Sequence, residues 1–188
     1  MIVNSGNANA MTGATGIAHV QQMANAAAKR FNCAPTQVAV ASTGIIGVPL
    51  SINAVLDGIA SLNPEHQNGD ACAQAILTTD TCIKHAKAVI EINGQSITFE
   101  GITKGSGMIA PNMATTLGFI VTNLGLSNAD CQALLRDAVD DSYHMISVDS
   151  DSSTNDMVSL QSTGDVTLEL TADQRHIVQQ ALTEVCID

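Results

Sequence analysis

The sequence predicts an α/β fold in which helices are layered as a sandwich on a mixed or antiparallel β-sheet. Two observations predict it. Asn93 and Gly94 stand between two segments that alternate apolar and polar residues, which is a strong short-range signal of a β-hairpin. Apolar side chains recur at helical spacing over residues 15–31, which predicts an amphipathic helix. Long helices mixed with hairpins favour a layered α/β arrangement.

The first part of the chain is predicted to contain helices around one short strand. Residues 4–16 are rich in Gly, Asn, Ala and Thr, which indicates a loop. Residues 37–42 form an apolar run that is typical of a buried strand. Helices are predicted over residues 49–61, where Pro49 suits the first turn, and over residues 68–77.

The part after the hairpin is predicted to alternate strands and helices. Helices are expected over residues 127–143 and again after residue 171, where Thr171 and Gln174 form a capping-box pattern. Residues 149–156 are polar, and we expect a solvated loop or a hydrogen-bonded turn there. Further strands are predicted at residues 117–122, 157–162 and 166–170.

Composition and charge exclude several classes of function. The 188 residues are 45% hydrophobic but only 2% aromatic, so the core must be aliphatic and alanine-rich. The formal net charge of −11 argues against a nucleic-acid partner, because such proteins need a clustered basic face. Residues 105–128 carry no charge, but Pro111, Asn112 and several threonines interrupt the stretch too heavily for a membrane-spanning helix.

The cysteines and the start of the chain favour the cytoplasm. Five cysteines are odd in number, widely scattered and form no C-x-x-C pair, so we expect buried, reduced thiols and no zinc site. The start of the sequence lacks the basic and apolar regions of a signal peptide. We therefore expect a cytoplasmic protein with no membrane partner.

The pair Ala114-Thr115 has the layout of a self-cleaving bond. A small residue precedes a hydroxyl residue, between a turn rich in Gly and Pro and the strand predicted at residues 117–122. Cleavage would make Thr115 a chain terminus that carries a nucleophile and an amine on one residue. The free α-amine has a pKa of roughly 7.7–8.0, so it can act as the base for its own hydroxyl. Taken alone, an Ala-Thr pair is common and is usually structural.

Other residues offer the remaining parts of an acyl-transfer site. Thr43 and Gly44 could direct a hydroxyl and a backbone N–H at an oxyanion, or form a plain turn between a strand and a helix. Lys104 could contact a substrate carboxylate, or be a solvated end of the hairpin. Three nearby threonines offer hydroxyls and could equally be helix caps: Thr78, Thr79 and Thr81.

Several common sites find no support in the sequence. The five histidines are dispersed and form no H-x-x-x-H pair, so we expect no metal. No G-x-S-x-G elbow is present, which disfavours a serine-hydrolase triad. Asp149, Asp151 and Asp156 lack the glycine and the terminal glutamate of a calcium-binding EF-hand loop.

Five motifs in order along the chain closely resemble the arginine-biosynthesis ornithine acetyltransferase family, also called glutamate N-acetyltransferases. The segment that ends at Thr115 is the most specific of the five. The motifs are VNSGNANA (3–10), ASTGIIG (41–47), TTDT (78–81), KGSGMIAPNMAT (104–115) and STND (153–156).

The resemblance implies self-cleavage between Ala114 and Thr115 into an α chain and a β chain that stay associated. It also implies a ping-pong reaction in which Thr115 takes acetyl from N2-acetylornithine and passes it to glutamate. Some members of the family also accept acetyl-CoA as donor, and we expect no resident cofactor in this chain. Thr43 and Gly44 would form the oxyanion hole.

The resemblance further implies that Thr78, Lys104 and Thr115 line the substrate pocket, and that two self-cleaved chains form an α/β heterotetramer. The expected chain portions are 1–114 and 115–188, each shortened relative to the family, so the sequence is interpreted as an internal fragment. Two alternatives stay open: an uncleaved, inactive scaffold, and a related self-processing amidohydrolase.

Overall fold

The structure is a computed structural model that describes residues 1–63, 65, 68–109, 116–151 and 153–188. It divides into two compact units, Met1–Thr78 and Thr79–Asp188. The predicted chain portions, 1–114 and 115–188, concern a peptide bond outside the described residues, and they stay a prediction.

The first unit packs helices against a two-stranded parallel sheet. Met23 and Ala27 of the longest helix lie in one apolar cluster with Ile2, Leu50 and Ile59. Its elements are β1 (Ile2–Asn4), α1 (Gly13–Phe31), β2 (Val40–Ser42), α2 (Ile52–Ser61) and α3 (Gly69–Ala75), with β1 and β2 paired.

The predictions for this unit hold for the helices and are less accurate for the strands. β1 lies partly in the segment predicted as a loop, because a three-residue strand is too short to show alternation. β2 begins three residues later than predicted, since Pro35–Gln37 form a 3₁₀ turn before it. α2 begins at Ile52 rather than at Pro49, which precedes the N-cap Ser51.

The second unit is a four-stranded mixed sheet covered on one face by two helices. The strands lie in the order β3-β4-β5-β6, and only β5 and β6 are parallel. A parallel pair needs a crossover connection, which α4 supplies. The elements are β3 (Lys84–Ile92), β4 (Gln95–Lys104), β5 (Leu117–Leu124), α4 (Asn128–Asp140), β6 (Met157–Val166) and α5 (Ala172–Ile187).

The core of this unit lies between the sheet and the two helices. Phe99 and Ile120 from the sheet lie in one cluster with Ala138 of α4 and Leu182 of α5, and all four are almost fully buried. The cluster is largely aliphatic, as the composition predicts. A mixed sheet layered with helices confirms the predicted α/β fold class.

The predicted hairpin is confirmed at the residues that predicted it. Asn93 and Gly94 connect β3 to β4 with φ angles of 53° and 74°. Two successive residues with positive φ are what a type I′ turn requires, and Asn-Gly adopts it most readily. Ile92 pairs with Gln95 directly across the turn.

Two predictions for the second unit need correction. The strand predicted at residues 166–170 is wrong: after Val166 the chain is irregular, although Leu168 and Leu170 pack on the core and account for the alternation. The helix predicted to residue 143 ends at Asp140, and a 3₁₀ turn follows it at Tyr143–Met145.

The cysteines are free, but they are not generally buried as predicted. Cys186 is buried, whereas Cys33, Cys72 and Cys82 are exposed. Among the helices that the structure describes, none is long and apolar enough to cross a membrane.

Candidate active site

The predicted scissile pair, Ala114 and Thr115, lies outside the described residues. The strands on either side of it are described, and Lys104 at the end of β4 pairs with Leu117 at the start of β5. Residues 105–116 are therefore the connection between two adjacent antiparallel strands. The site can be built from the two ends of this connection.

Lys104, at the first end, is a buried lysine. Only 1% of the residue is exposed, which excludes the alternative of a solvated hairpin end. Its Nζ lies 3.9 Å from Oδ2 of Asp80, whose side chain is fully buried. An ammonium group so far from water needs a nearby carboxylate, because burial of an isolated charge is very costly.

The Asp80 carboxylate contacts Lys84 and Gly105 in addition to Lys104. Its Oδ1 accepts a hydrogen bond from Nζ of Lys84 at 2.7 Å and another from the N–H of Gly105 at 2.7 Å. The carboxylate therefore joins the start of β3 to the residue that follows β4. Sequence reasoning missed Asp80, since it considered only the hydroxyls of the TTDT motif, although the aspartate in that motif was visible.

The environment of Lys104 weakens its hold on a proton. Burial lowers the pKa of Lys104, the carboxylates of Asp80 and Asp156 oppose this effect, and the neighbouring Lys84 adds to it. Lys84 lies closer than Lys104 to the Asp80 carboxylate, so Lys84 neutralises much of the negative charge of Asp80. Desolvation and the second cation thus outweigh the two carboxylates, and the pKa of Lys104 lies below its ordinary value.

Thr116 marks the second end of the connection and is 6% exposed. Its N–H donates to Oδ1 of Asp156 at 2.7 Å, and its carbonyl accepts from the N–H of Met157 at 2.9 Å. Burial raises the pKa of Asp156, while the Thr116 N–H, a hydrogen bond from Ser153 and the charge of Lys104 lower it. Asp156 therefore acts electrostatically on Lys104 while it holds the residue after the predicted nucleophile.

The Thr43-Gly44 turn belongs to the first unit. Thr43 is 2% exposed, and its N–H donates to the carbonyl of Asn4 at 3.0 Å. Gly44 has φ = +127°, and a Cβ there would lie 2.2 Å from the carbonyl carbon of Gly6. Only glycine fits this position. Within the described part of the chain, no acceptor is bonded to the Gly44 N–H, so it is a candidate oxyanion donor.

Two asparagines of the VNSGNANA motif hold this turn in place. Asn4 accepts a hydrogen bond from the Ser42 hydroxyl at 2.7 Å, and Asn7 donates to the carbonyls of Ile45 and Val48 at 3.1 and 2.9 Å. These two asparagines have no predicted role from the sequence. Repeated asparagines are a recognisable signal, because their amides both donate and accept backbone hydrogen bonds.

Thr78 is exposed and lies in a bend after α3, at the end of the first unit. The predicted site residues therefore divide between the units, with Thr43, Gly44 and Thr78 in the first and Lys104 in the second. The contact of a TTDT threonine with a substrate stays a prediction. Among the residues with described positions, no group of three His, Cys, Asp or Glu side chains could hold a metal ion.

The chain is similar to known proteins of arginine biosynthesis. Its residues 1–188 match the ArgJ family. The arginine biosynthesis bifunctional protein ArgJ of Symbiobacterium thermophilum is 48% identical over 168 residues, which is 87% of this chain and 41% of that protein. The protein of the same name from Dehalococcoides mccartyi is 41% identical over 99% of this chain and 47% of its own length.

Two solved structures share the fold. The crystal structure of ArgJ from Bacillus halodurans gives a TM-score of 0.57 with 44% identity, over 60% of this chain and 61% of that one. Ornithine acetyltransferase from Mycobacterium tuberculosis, crystallised with ornithine, gives 0.51 with 35% identity, over 60% and 62%. The chain spans less than half the length of the two curated relatives above. With a match along all of its residues, the chain belongs to the ArgJ family.

Proposed function

We propose that this chain carries the acyl-transfer centre of an ArgJ-family enzyme, which moves an acetyl group from N2-acetylornithine to glutamate through an acetyl-Thr115 intermediate. Family membership supports the proposal, as does the related M. tuberculosis enzyme that was crystallised with ornithine. The observation that carries it is the buried Lys104, 3.9 Å from Asp80, at the start of the connection that contains Ala114 and Thr115.

The first step of the proposed mechanism is self-cleavage. The Thr115 hydroxyl oxygen attacks the carbonyl carbon of Ala114, the peptide C–N bond breaks, and the hydroxyl proton goes to the nitrogen. Water then hydrolyses the resulting ester and returns the hydroxyl to Thr115. The products are a carboxylate at Ala114 and a free α-amine on Thr115, which becomes the base of the next step.

The second step is transfer of the acetyl group. The α-amine takes the Thr115 hydroxyl proton, the oxygen attacks the acetyl carbonyl, and the amine of ornithine leaves with a proton. The amine of glutamate then attacks the acetyl-threonine ester and frees the hydroxyl. Each addition places negative charge on a carbonyl oxygen, and the Gly44 N–H and the Thr43 hydroxyl are the proposed donors to it. Acetyl-CoA would enter as an alternative donor whose thiolate leaves.

Lys104 has a proposed role in substrate binding. Both substrates carry a carboxylate, and Lys104 is a poorly solvated cation whose nearest described carboxylate, Asp80, is shared with Lys84. A substrate carboxylate beside Lys104 would favour its charged form, which burial disfavours. Lys104→Met is therefore expected to raise KM for both substrates by more than it lowers kcat.

Intact mass spectrometry of the purified chain tests the proposal first. We expect two pieces, one that ends at Ala114 and one that begins at Thr115. Thr115→Ala should give a single intact chain, and Thr115→Ser, which keeps a hydroxyl, should still cleave. Cleavage that survives Thr115→Ala would rule out the assigned nucleophile.

Substrate incubation separates the proposal from its two alternatives. Peptide mapping after exposure to N2-acetylornithine should find an acetyl group on Thr115, and added glutamate should remove it as acetylglutamate. Release of free acetate without transfer would favour an amidohydrolase. An intact chain that never becomes acetylated would favour a scaffold. Native mass spectrometry would test the proposed α/β heterotetramer in the same sample.

A further inference from the structure

Asp149 binds the backbone shortly before the predicted scissile bond. Its two carboxylate oxygens accept hydrogen bonds from the successive N–H groups of Met108 and Ile109, at 2.6 and 2.8 Å. These bonds lower the pKa of Asp149, the one from Met108 most strongly. A carboxylate that accepts two adjacent backbone amides fixes the direction of the chain at that point.

The carbonyl of Ile109 is held by the backbone around Asp149. It accepts from the N–H groups of Val148, Asp149 and Ser150, at 2.8, 3.3 and 3.2 Å. Met108, with φ = 59°, adopts the left-handed conformation that non-glycine residues rarely take. The bond from its N–H to Asp149, and the contacts of Ile109 with the 148–150 backbone, therefore hold Met108 in a conformation that its own preferences would not select.

The residue on the other border is held by the end of the same loop. Thr116 donates to Asp156 and accepts from Met157, at 2.7 and 2.9 Å. Residues 148–150 thus bind one residue that borders segment 110–115, and Asp156 and Met157 bind the other. The sequence predicts residues 149–156 as a solvated loop or a hydrogen-bonded turn, and the proposed mechanism gives them no part.

We propose that Asp149 and Asp156 are positioning residues for self-cleavage: they fix the described residues on either side of segment 110–115, which contains the predicted scissile bond. This inference rests on the proposed function. Attack by a hydroxyl on the carbonyl just before it requires a narrow range of backbone geometries, and fixed ends reduce the number of others. Neither carboxylate enters the bond changes; each acts through the backbone.

The test compares Asp149→Asn with Asp151→Asn in the full 188-residue chain. Asparagine keeps one acceptor oxygen but turns an NH₂ group toward the second backbone N–H. Asp151 is a matched control, since it lies in the same loop, is exposed, and contributes only its backbone N–H to Asp149. Each chain is made by cell-free translation, and the uncleaved precursor is followed over time by mass spectrometry.

Asp149→Asn is expected to slow cleavage by about 100-fold, the loss that a displacement of about 1 Å can cause. Asp151→Asn should cleave at the wild-type rate, and Asp156→Asn should be slowed like Asp149→Asn. Hydroxylamine provides a readout that a merely structural residue would not change. It captures the ester as an Ala114 hydroxamate and releases Thr115, so it speeds a chain that forms the ester but not one that fails to form it.

Slow cleavage, an unchanged melting temperature and no rescue by hydroxylamine would support the proposal. Wild-type cleavage in Asp149→Asn would overturn it, as would full rescue by hydroxylamine. If Asp149→Asn does not fold, Asp149→Glu serves instead: slow cleavage of folded protein supports the proposal, and the wild-type rate refutes it. A wild-type chain that never cleaves would refute the proposed function itself, and the inference with it.

Discussion

Removal of Asp80 should destabilise the protein far more than removal of Lys104, although the two charges face each other. At 3.9 Å and an effective dielectric constant of about 20, their attraction is about 4 kcal/mol. Burial of each ion costs several kcal/mol, so the pair as a whole contributes little to net stability. The two substitutions differ in what they leave behind.

Asp80→Asn takes a carboxylate away from an ammonium that is 1% exposed. It also weakens the bonds from Lys84 and Gly105, both at 2.7 Å. Loss of one partner of a buried ion pair typically costs about 3–5 kcal/mol. Lys104→Met replaces the ammonium with an apolar side chain of similar length, while Asp80 keeps both closer donors. We expect a loss of about 1.5 kcal/mol or less.

Urea denaturation measures both variants, with a slope that should stay unchanged if only stability is affected. Asp137→Asn, an exposed aspartate on α4, is the control and should lie within about 0.5 kcal/mol of wild type. The double variant Asp80→Asn/Lys104→Met should be more stable than the sum of the single losses by about 0.5–3 kcal/mol. If Lys104→Met proves as damaging as Asp80→Asn, the argument from burial is refuted.

Three further predictions follow from close contacts and burial. Gly118→Ala would place a Cβ 2.9 Å from the Tyr143 hydroxyl and should cost about 1–3 kcal/mol, whereas Gly58→Ala, in the open middle of α2, should stabilise by up to about 1 kcal/mol. Burial raises the pKa of Tyr143 to about 12, so ultraviolet titration of this single tyrosine should show ionisation well above 10. Because the unfolded tyrosine already ionises near 10, stability should fall as pH rises from about 10 to about 12. Gly44→Ala should lower the melting temperature and abolish acetyl transfer, since its Cβ would lie 2.2 Å from Gly6; normal transfer would contradict the role given to this turn.

The features predicted best are those that depend on residues close together in the chain. Asn93-Gly94 carries its own turn preference, so the hairpin and its register could be placed without any tertiary information. The capping box from Thr171 to Gln174 is also local, and it is present at the start of α5. The alternation at residues 166–170 wrongly predicted a strand. Alternation indicates that every second side chain is buried, and Leu168 and Leu170 pack on the core without strand pairing.

What the sequence could not show were contacts between distant segments. Lys104 stood out as a lone cation, but its partner Asp80 lies 24 residues earlier and is brought close only by the pairing of β3 with β4. Asp149 is about 40 residues from the amides that it accepts. No local pattern marks an aspartate that bonds a remote backbone, so both looked like ordinary polar residues of loops.

The register of the central sheet bears on what a broken chain would do. Residues Phe99–Lys104 pair with Leu117–Thr122, and β5 has β6 on its other side. A cut between Ala114 and Thr115 would break the connection between β4 and β5, while the hydrogen bonds that pair these strands would remain. The two products would separate only if the core of the second unit unfolded. One covalent chain could therefore become two without a change in its architecture.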